Sequence, residues 1–340
     1  MIPKEIKKIK KYEKKFARHK YDGSKKPGFM IIPGSIPIMV SAPHSINQFR
    51  EGQIKWADKF TGALALLLHD LTGCHVIYSS GYTGGDPNYD NLDINPYQTA
   101  LIEYVKGHNI PILIDLHGAS SNRPYSVEMG TAPERDADNN VIGDPSPSLK
   151  GHYFVSKLLR LAFDYVFRKI ENVAPKDVWM NTIFDAGSQN TVTKSVSQNS
   201  DTAAIQLEIN GQYRDPNNPS LMLALINGLR ITIDILSKVH WDTGYIDVFK
   251  LKQSKVPVPQ DKVEFHIGSA PLFDGDMVEV KSYTGKTEHV HVMDKGEAKN
   301  GDNDETDNHL LFGHPFLLVV VMEGGHEEGA FLDRHYLSRR

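Results

Sequence analysis

Apolar side chains at Ile2, Ile6, Ile9, Tyr12 and Phe16 fall at steps of four, three, three and four. That spacing is one stripe of an amphipathic helix, and lysines fill its other face. From residue 29 the period changes. Phe29–Ile32 and Ile36–Val40, joined across Pro33-Gly34, predict a hairpin or two short strands. Lys55–Leu71 has helical spacing, with Phe60, Leu64, Leu67, Leu68 and Leu71 on its buried side and Gly73 as its stop. His75–Tyr78 predicts a strand, and Asn95–Val105 a helix with Pro96 in its first turn. Ile110–Leu116 is a dense apolar strand of the kind covered on both faces. Ser156–Ile170 and Ser220–Ser237 read as helices, and Val178–Ile183 and Ala203–Ile209 as strands. Strands and helices in alternation predict an α/β domain, a mixed, mostly parallel sheet with helices on both faces.

After Trp241 the helical period disappears. Val263–Ile267, Asp276–Ser282, Glu288–Met293 and Phe316–Met322 read as strands, and the polar stretch Asp294–Asn308 as a loop. The expected organisation is a basic helix over 1–28, the α/β domain over 29–240 and a small all-β domain over 241–340.

Composition narrows the class. Of 340 residues, 40% are hydrophobic and 24% charged, the balance of a globular chain. The longest apolar run, Phe316–Met322, is far short of the ~20 residues of a membrane span, and no apolar core follows the N-terminal lysines. The expectation is a cytoplasmic protein without a membrane partner; a homo-oligomer is compatible with the sequence. One cysteine, Cys74, allows neither an internal disulfide nor a cysteine-based zinc site, so a metal would rest on histidine and carboxylate. Residues 1–27 hold 11 Lys/Arg against 3 Asp/Glu, so the net charge of −4 hides a basic segment on an acidic body. Such a segment suits nucleic acid or an anionic membrane. Its apolar stripe calls for burial, which favours a helix docked on the body and no nucleic-acid partner.

Three polar clusters adjoin apolar strands: Ser41–Ser45 ("SAPHS"), Asp115–Gly118 ("DLHG") and Gln206–Asn210 ("QLEIN"). Ligands of open α/β sheets bind beyond the carboxyl ends of strands. His44 and His117 are placed to converge there, and with a carboxylate they form the donor set of a hydrolytic zinc site. Glu51, in the loop after His44, is the preferred third ligand. Asp115 is the rival; at i−2 from His117 it shares that side chain's face and is better suited to orient it. Glu128 and Asp58 are further carboxylates for either role. Glu208 lies in an otherwise apolar strand. It is either half of a core ion pair or a general base in the cleft, its pKa raised by burial.

"SAPHS", "DLHG", "MGT" at Met129–Thr131 and "IQLEING" at Ile205–Gly211 resemble, in order and spacing, the motifs of the N-formylglutamate amidohydrolase family across residues 36–238. The resemblance implies a fold related to the zinc carboxypeptidases. It also implies one zinc per chain held by His44, Glu51 and His117, Glu208 as base, and Arg123 for a substrate carboxylate. Ile46 and Gly211–Arg214 depart from the family pattern. The implied reaction is hydrolysis of an N-acyl amino acid or related linear amide, with Asp115 in support and Arg123, Arg50, Asn181 and Gln206 around the substrate. A metallopeptidase or amidase on a γ-glutamyl or cell-wall peptide is the alternative enzyme, and a non-catalytic binding protein is the rival of another class. His289 and His291 share a strand face without an evident third ligand, and "EGGHEEG" at Glu323–Gly329 is metal-like in composition only. Neither Ser45 nor Cys74 has the partners of a nucleophile.

Overall fold

A computed structural model describes residues 3–23, 28–82, 85–170 and 176–241, and beyond them the backbone of strands between 245 and 321. In chain order the first elements are α1 (Lys4–Phe16), β1 (Phe29–Ile32), β2 (Ile36–Ala42), the ribbon β3 (Gln48–Arg50) and β4 (Gln53–Lys55), α2 (Thr61–Thr72) and β5 (Cys74–Ser79). Then come α3 (Pro96–Gly107), β6 (Ile112–Ala119), β7 (Val127–Gly130), the short pair β8 (Glu134–Arg135) and β9 (Val141–Ile142), α4 (Phe154–Arg168) and β10 (Val178–Met180). α5 (Val192–Asn199), β11 (Ala203–Asn210), α6 (Gly211–Arg214) and α7 (Pro219–Leu236) follow.

The main sheet runs β1-β5-β2-β6-β11-β7-β10. Strands β5, β2, β6 and β11 pair in parallel, β1 and β7 join antiparallel, and β10 runs parallel to β7. This is the expected mixed, mostly parallel sheet. One face holds a core of Met39, Ile77, Leu113 and Ala204 from four strands, covered by Leu101 and Val105 of α3 and Val196 of α5. α2 packs against β2, β5 and β6 from the other side, and α1 packs on α2. Burial of Ile6, Ile9 and Phe16 with exposure of the lysines is the docked amphipathic helix that the spacing predicts.

Along the first face the side chains change character toward the strands' carboxyl ends. The row Met39–Leu113 is apolar, the next row is Ser41–Asp115–Gln206, and the one beyond is His117–Glu208–Glu128. The period of two in each strand, read across neighbouring strands in register, thus builds a polar patch at one end of an apolar face.

Two local expectations fail near this patch. The helix expected over Lys55–Leu71 begins only at Thr61, because Phe60 is left-handed at φ 71° and the Asp58 carbonyl accepts the Thr61 amide and hydroxyl. Residues 56–60 are therefore a loop. The expected loop after His44 is instead the β3–β4 hairpin, whose two turn residues, Glu51 at φ 51° and Gly52 at φ 75°, are both left-handed, as a two-residue hairpin of right-handed twist requires.

α7 has the length and composition to cross a membrane, yet 56% of it is buried in the fold, as in a core helix. The chain divides into two compact units, Met1–Gly151 with Val166–Ile233, and His152–Tyr165 with Asp234–Arg340. In the second unit Trp241 meets His152 and Phe154 at ring-centroid distances of 5.2 and 5.7 Å. Its strands are hydrogen-bonded in chain order from Val239–His240 to Leu318–Val321. The Asp294–Asn308 loop and the side chains of His289, His291 and Glu323–Gly329 lie outside the described residues.

Cys74 is fully buried, and burial pushes its thiol up to about 12. The native protein is expected to resist iodoacetamide at pH 8 and to take up one equivalent once unfolded. Rapid stoichiometric labelling of the folded chain would contradict the buried setting.

Candidate metal centre

β2 ends at Ala42, and the turn that follows carries His44 inward; β6 presents His117; the loop between β4 and α2 brings Asp58 between them. The three side chains are 2%, 7% and 1% exposed for His44, Asp58 and His117. The two Nδ1 atoms are 3.2 Å apart, and Asp58 Oδ2 is 3.3 Å from that of His44 and 3.5 Å from that of His117. Three donors at these separations form one face of a tetrahedron. Zinc–nitrogen bonds of ~2.0–2.1 Å give tetrahedral edges of about 3.3–3.4 Å, so the triangle has the spacing that a tetrahedral metal ion of this size requires.

The far nitrogen of each imidazole is also fixed. His44 Nε2 is 2.7 Å from Asp86 Oδ1, and His117 Nε2 is 3.0 Å from Asp115 Oδ2. With a carboxylate behind it, each ring donates from Nε2 and turns an Nδ1 lone pair toward the centre, the arrangement that orients metal-binding histidines. Asp58 is held by the Gly118 amide on Oδ2 at 3.0 Å and by Lys55 Nζ on Oδ1 at 2.8 Å. Arg50 lies on Asp86 through Nε at 2.9 Å and Nη2 at 2.7 Å. The hairpin thereby brings one cation to each carboxylate that flanks His44.

The charges point the same way. Asp58, Asp86, Asp115 and Glu208 surround the imidazoles, opposed by Lys55, Arg50 and the buried Arg214, which leaves an excess of negative charge that favours a cation. With protons alone in the cluster, burial pulls the His117 imidazolium down, but Asp115, Asp58 and Glu208 outweigh it and its pKa is pushed up to about 10. Burial would raise the Asp58 carboxyl, and Lys55 with the two histidines holds it well below the usual range. Donor type, spacing and charge all suit the ion.

Glu208 stands directly opposite His117 on the neighbouring strand and is 8% exposed. Burial pushes its carboxyl up, His117 opposes that and Asp58 adds to it. Gln206 Nε2 donates to its Oε1 at 3.2 Å, and no lysine or arginine forms an ion pair with it among the described residues.

The structure brings His44, His117, Asp115, Glu208 and Gln206 together, but not Glu51. Glu51 sits exposed at the left-handed hairpin turn, bonded to the Tyr89 hydroxyl. The carboxylate beside the histidines is Asp58. Arg50 is committed to Asp86 rather than free for a substrate. Asn181 uses its amide on the Thr131 amide and hydroxyl and the Pro145 carbonyl, so it fastens a loop. Glu128 Oε1 accepts the amides of Thr182, Ile183 and Phe184, clamping the following loop. Arg123 is half-buried over the Phe184 ring, at 4.9 Å, and its guanidinium makes no hydrogen bond among the described residues. Asp86 escaped the sequence reading altogether; "DPN" marks a turn, and the Asn88 amide on Asp86 Oδ1 makes it one.

No family model matches the chain, and no curated protein matches it. Among solved structures, a bacteriophage poly-gamma-glutamate hydrolase is 12% identical, with 62% of this chain and 88% of that one covered and a TM-score of 0.35. The catalytic domain of an N-acetylmuramoyl-L-alanine amidase from Bacillus (Paenibacillus) polymyxa var. colistinus is 12% identical over 56% and 94%, with a TM-score of 0.30. An N-acetylmuramyl-L-alanine amidase from Mycobacterium abscessus, solved in its apo form, is 11% identical over 58% and 98%, with a TM-score of 0.29.

Proposed function

We propose that the protein is a zinc-dependent amidohydrolase that cleaves a linear amide, an N-acyl amino acid or a peptide-like relative. The reading is carried by the His44–Asp58–His117 triangle, with a carboxylate behind each histidine and Glu208 opposite His117. A zinc ion bound there supplies Lewis-acid polarisation of the amide carbonyl and a lowered pKa for the attacking water. Glu208 takes the water proton on a carboxylate oxygen and returns it to the leaving nitrogen; burial raises its carboxyl above the ordinary value, which makes it a stronger proton acceptor. Gln206 holds one Glu208 oxygen and so sets which oxygen faces the substrate. Asp115 and Asp86 fix the imidazole tautomers.

The test is elemental analysis of the purified chain followed by release of amine from a panel of N-acyl amino acids. One zinc per chain, activity lost to a chelator and restored by zinc, is the expected result. A chain that binds zinc yet releases no amine from acyl amino acids or peptides would favour a binding protein. The uncommitted Arg123 guanidinium is the group for a substrate carboxylate. Arg123→Met is expected to raise KM by about 10–100-fold, the worth of a charged hydrogen bond, with little change in kcat. Unchanged KM across the panel would remove Arg123 from binding.

A further inference from the structure

Arg214 is a buried arginine with no carboxylate partner in direct contact among the described residues. Burial pulls its pKa down, and the more distant charges of Asp58, Glu208 and Glu13 oppose that. Its donors go to three backbone carbonyls instead. Nε reaches Ile209 O at 2.9 Å, at the end of β11; Nη2 reaches Ala119 O at 2.9 Å, at the end of β6; Nη1 reaches Lys59 O. These three carbonyls belong to the segments that carry Glu208, His117 and Asp58. One planar fork therefore ties together the two strand ends and the loop from which the third donor hangs.

Gly118 shows how closely the fork is fitted. A Cβ on Gly118 would stand 2.6 Å from Arg214 Cζ and Nη2, so only glycine leaves room for the guanidinium. The amide of that same Gly118 donates to Asp58 Oδ2. The glycine of "DLHG" thus serves the centre twice, by the donor it has and the side chain it lacks. Glu13 also supports the loop, its Oε1 accepting the Phe60 amide at 2.9 Å and the Tyr21 hydroxyl at 2.7 Å. Lys59 and Phe60, the two residues after Asp58, are each held by a buried ionisable side chain.

We infer that Arg214 is a positioning residue that sets Asp58 against His117 and His44 at metal-binding distance. The inference rests on the reading of these three residues as a metal centre. A fork is needed because the three carbonyls diverge. A lysine keeps the charge, but its three donors share one nitrogen and cannot reproduce bonds made by three separate guanidinium nitrogens.

The test compares wild type with Arg214→Lys and Gly118→Ala, the second displacing the guanidinium by one methyl group. Zinc Kd is measured by competition, and the visible absorption of the Co²⁺-substituted chain reports ligand geometry. Val196→Ala, in the core away from the centre, serves as a control that lowers Tm without touching the fork. Both test variants are expected to bind zinc about 10–100-fold more weakly and to alter the cobalt spectrum, whereas the control changes neither. In an Asp58→Ala background Arg214→Lys is expected to add no further loss, since the residue acts through Asp58. Wild-type affinity and an unaltered cobalt spectrum in either folded test variant, or full additivity with Asp58→Ala, would overturn the assignment while leaving the metal centre intact. A wild-type chain that binds neither Zn²⁺ nor Co²⁺ would overturn the metal centre and this role together.

Discussion

Asp58→Ala is expected to leave a folded chain that no longer retains zinc through purification, while Glu51→Ala keeps one zinc per chain. The two carboxylates differ in what holds them. Asp58 is buried, its Oδ2 lies within 3.5 Å of both imidazole Nδ1 atoms, and the Gly118 amide and Lys55 fix its orientation. Little ordering remains to be done when an ion arrives. Glu51 is exposed at a hairpin turn and would have to leave Tyr89 and reverse a left-handed backbone to approach. Loss of a directly bound donor should exceed the ~10–100-fold cost of removing an outer partner. Elemental analysis of both variants decides the matter; zinc kept by Asp58→Ala and lost by Glu51→Ala would restore the ligand set that the family resemblance implies.

That difference shows what was legible in the sequence and what was not. The strands carrying His117 and Glu208 could be read because apolar runs bounded by polar residues have few other folds available, and parallel register then aligns the polar positions. The two histidines followed from strand ends. Asp58 is one of several carboxylates the sequence offers, and the helical spacing over Lys55–Leu71 includes it. The helix starts at Thr61 behind a left-handed Phe60 with no side-chain cap, so no local capping pattern marks the start that leaves Asp58 in a loop. Asp86 carried no periodic signal at all. It reaches His44 through a turn 42 residues away in sequence, a juxtaposition that only the fold makes. The polar face of β11 is also only in part a cleft wall. Asn210, which the alternation assigns to it, spends its amide on the Arg123 and Tyr125 carbonyls and the Gln212 amide.

Glu208→Gln should keep zinc and fold yet lower kcat by roughly 10²–10⁴, the usual contribution of a positioned base. The substitution is nearly isosteric, and Gln206 can still donate to the remaining oxygen. The alternative from sequence, a core ion pair, required a lysine or arginine on Glu208, and no such pair forms among the described residues. What neighbours the carboxylate is His117 across the strand pair and Glu128 on the other side, also in register. Neutralising Glu208 therefore removes like-charge repulsion from Asp58 as well as attraction to His117, and Tm should move little. A glutamine cannot take a proton, so the loss should fall on kcat, with KM nearly unchanged because substrate binding makes no use of that transfer. Zinc content, Tm and kcat measured on one preparation separate the cases. A fall in Tm with activity lost only in proportion to unfolded chain would return Glu208 to a structural role, and near-wild-type kcat would remove it from the reaction.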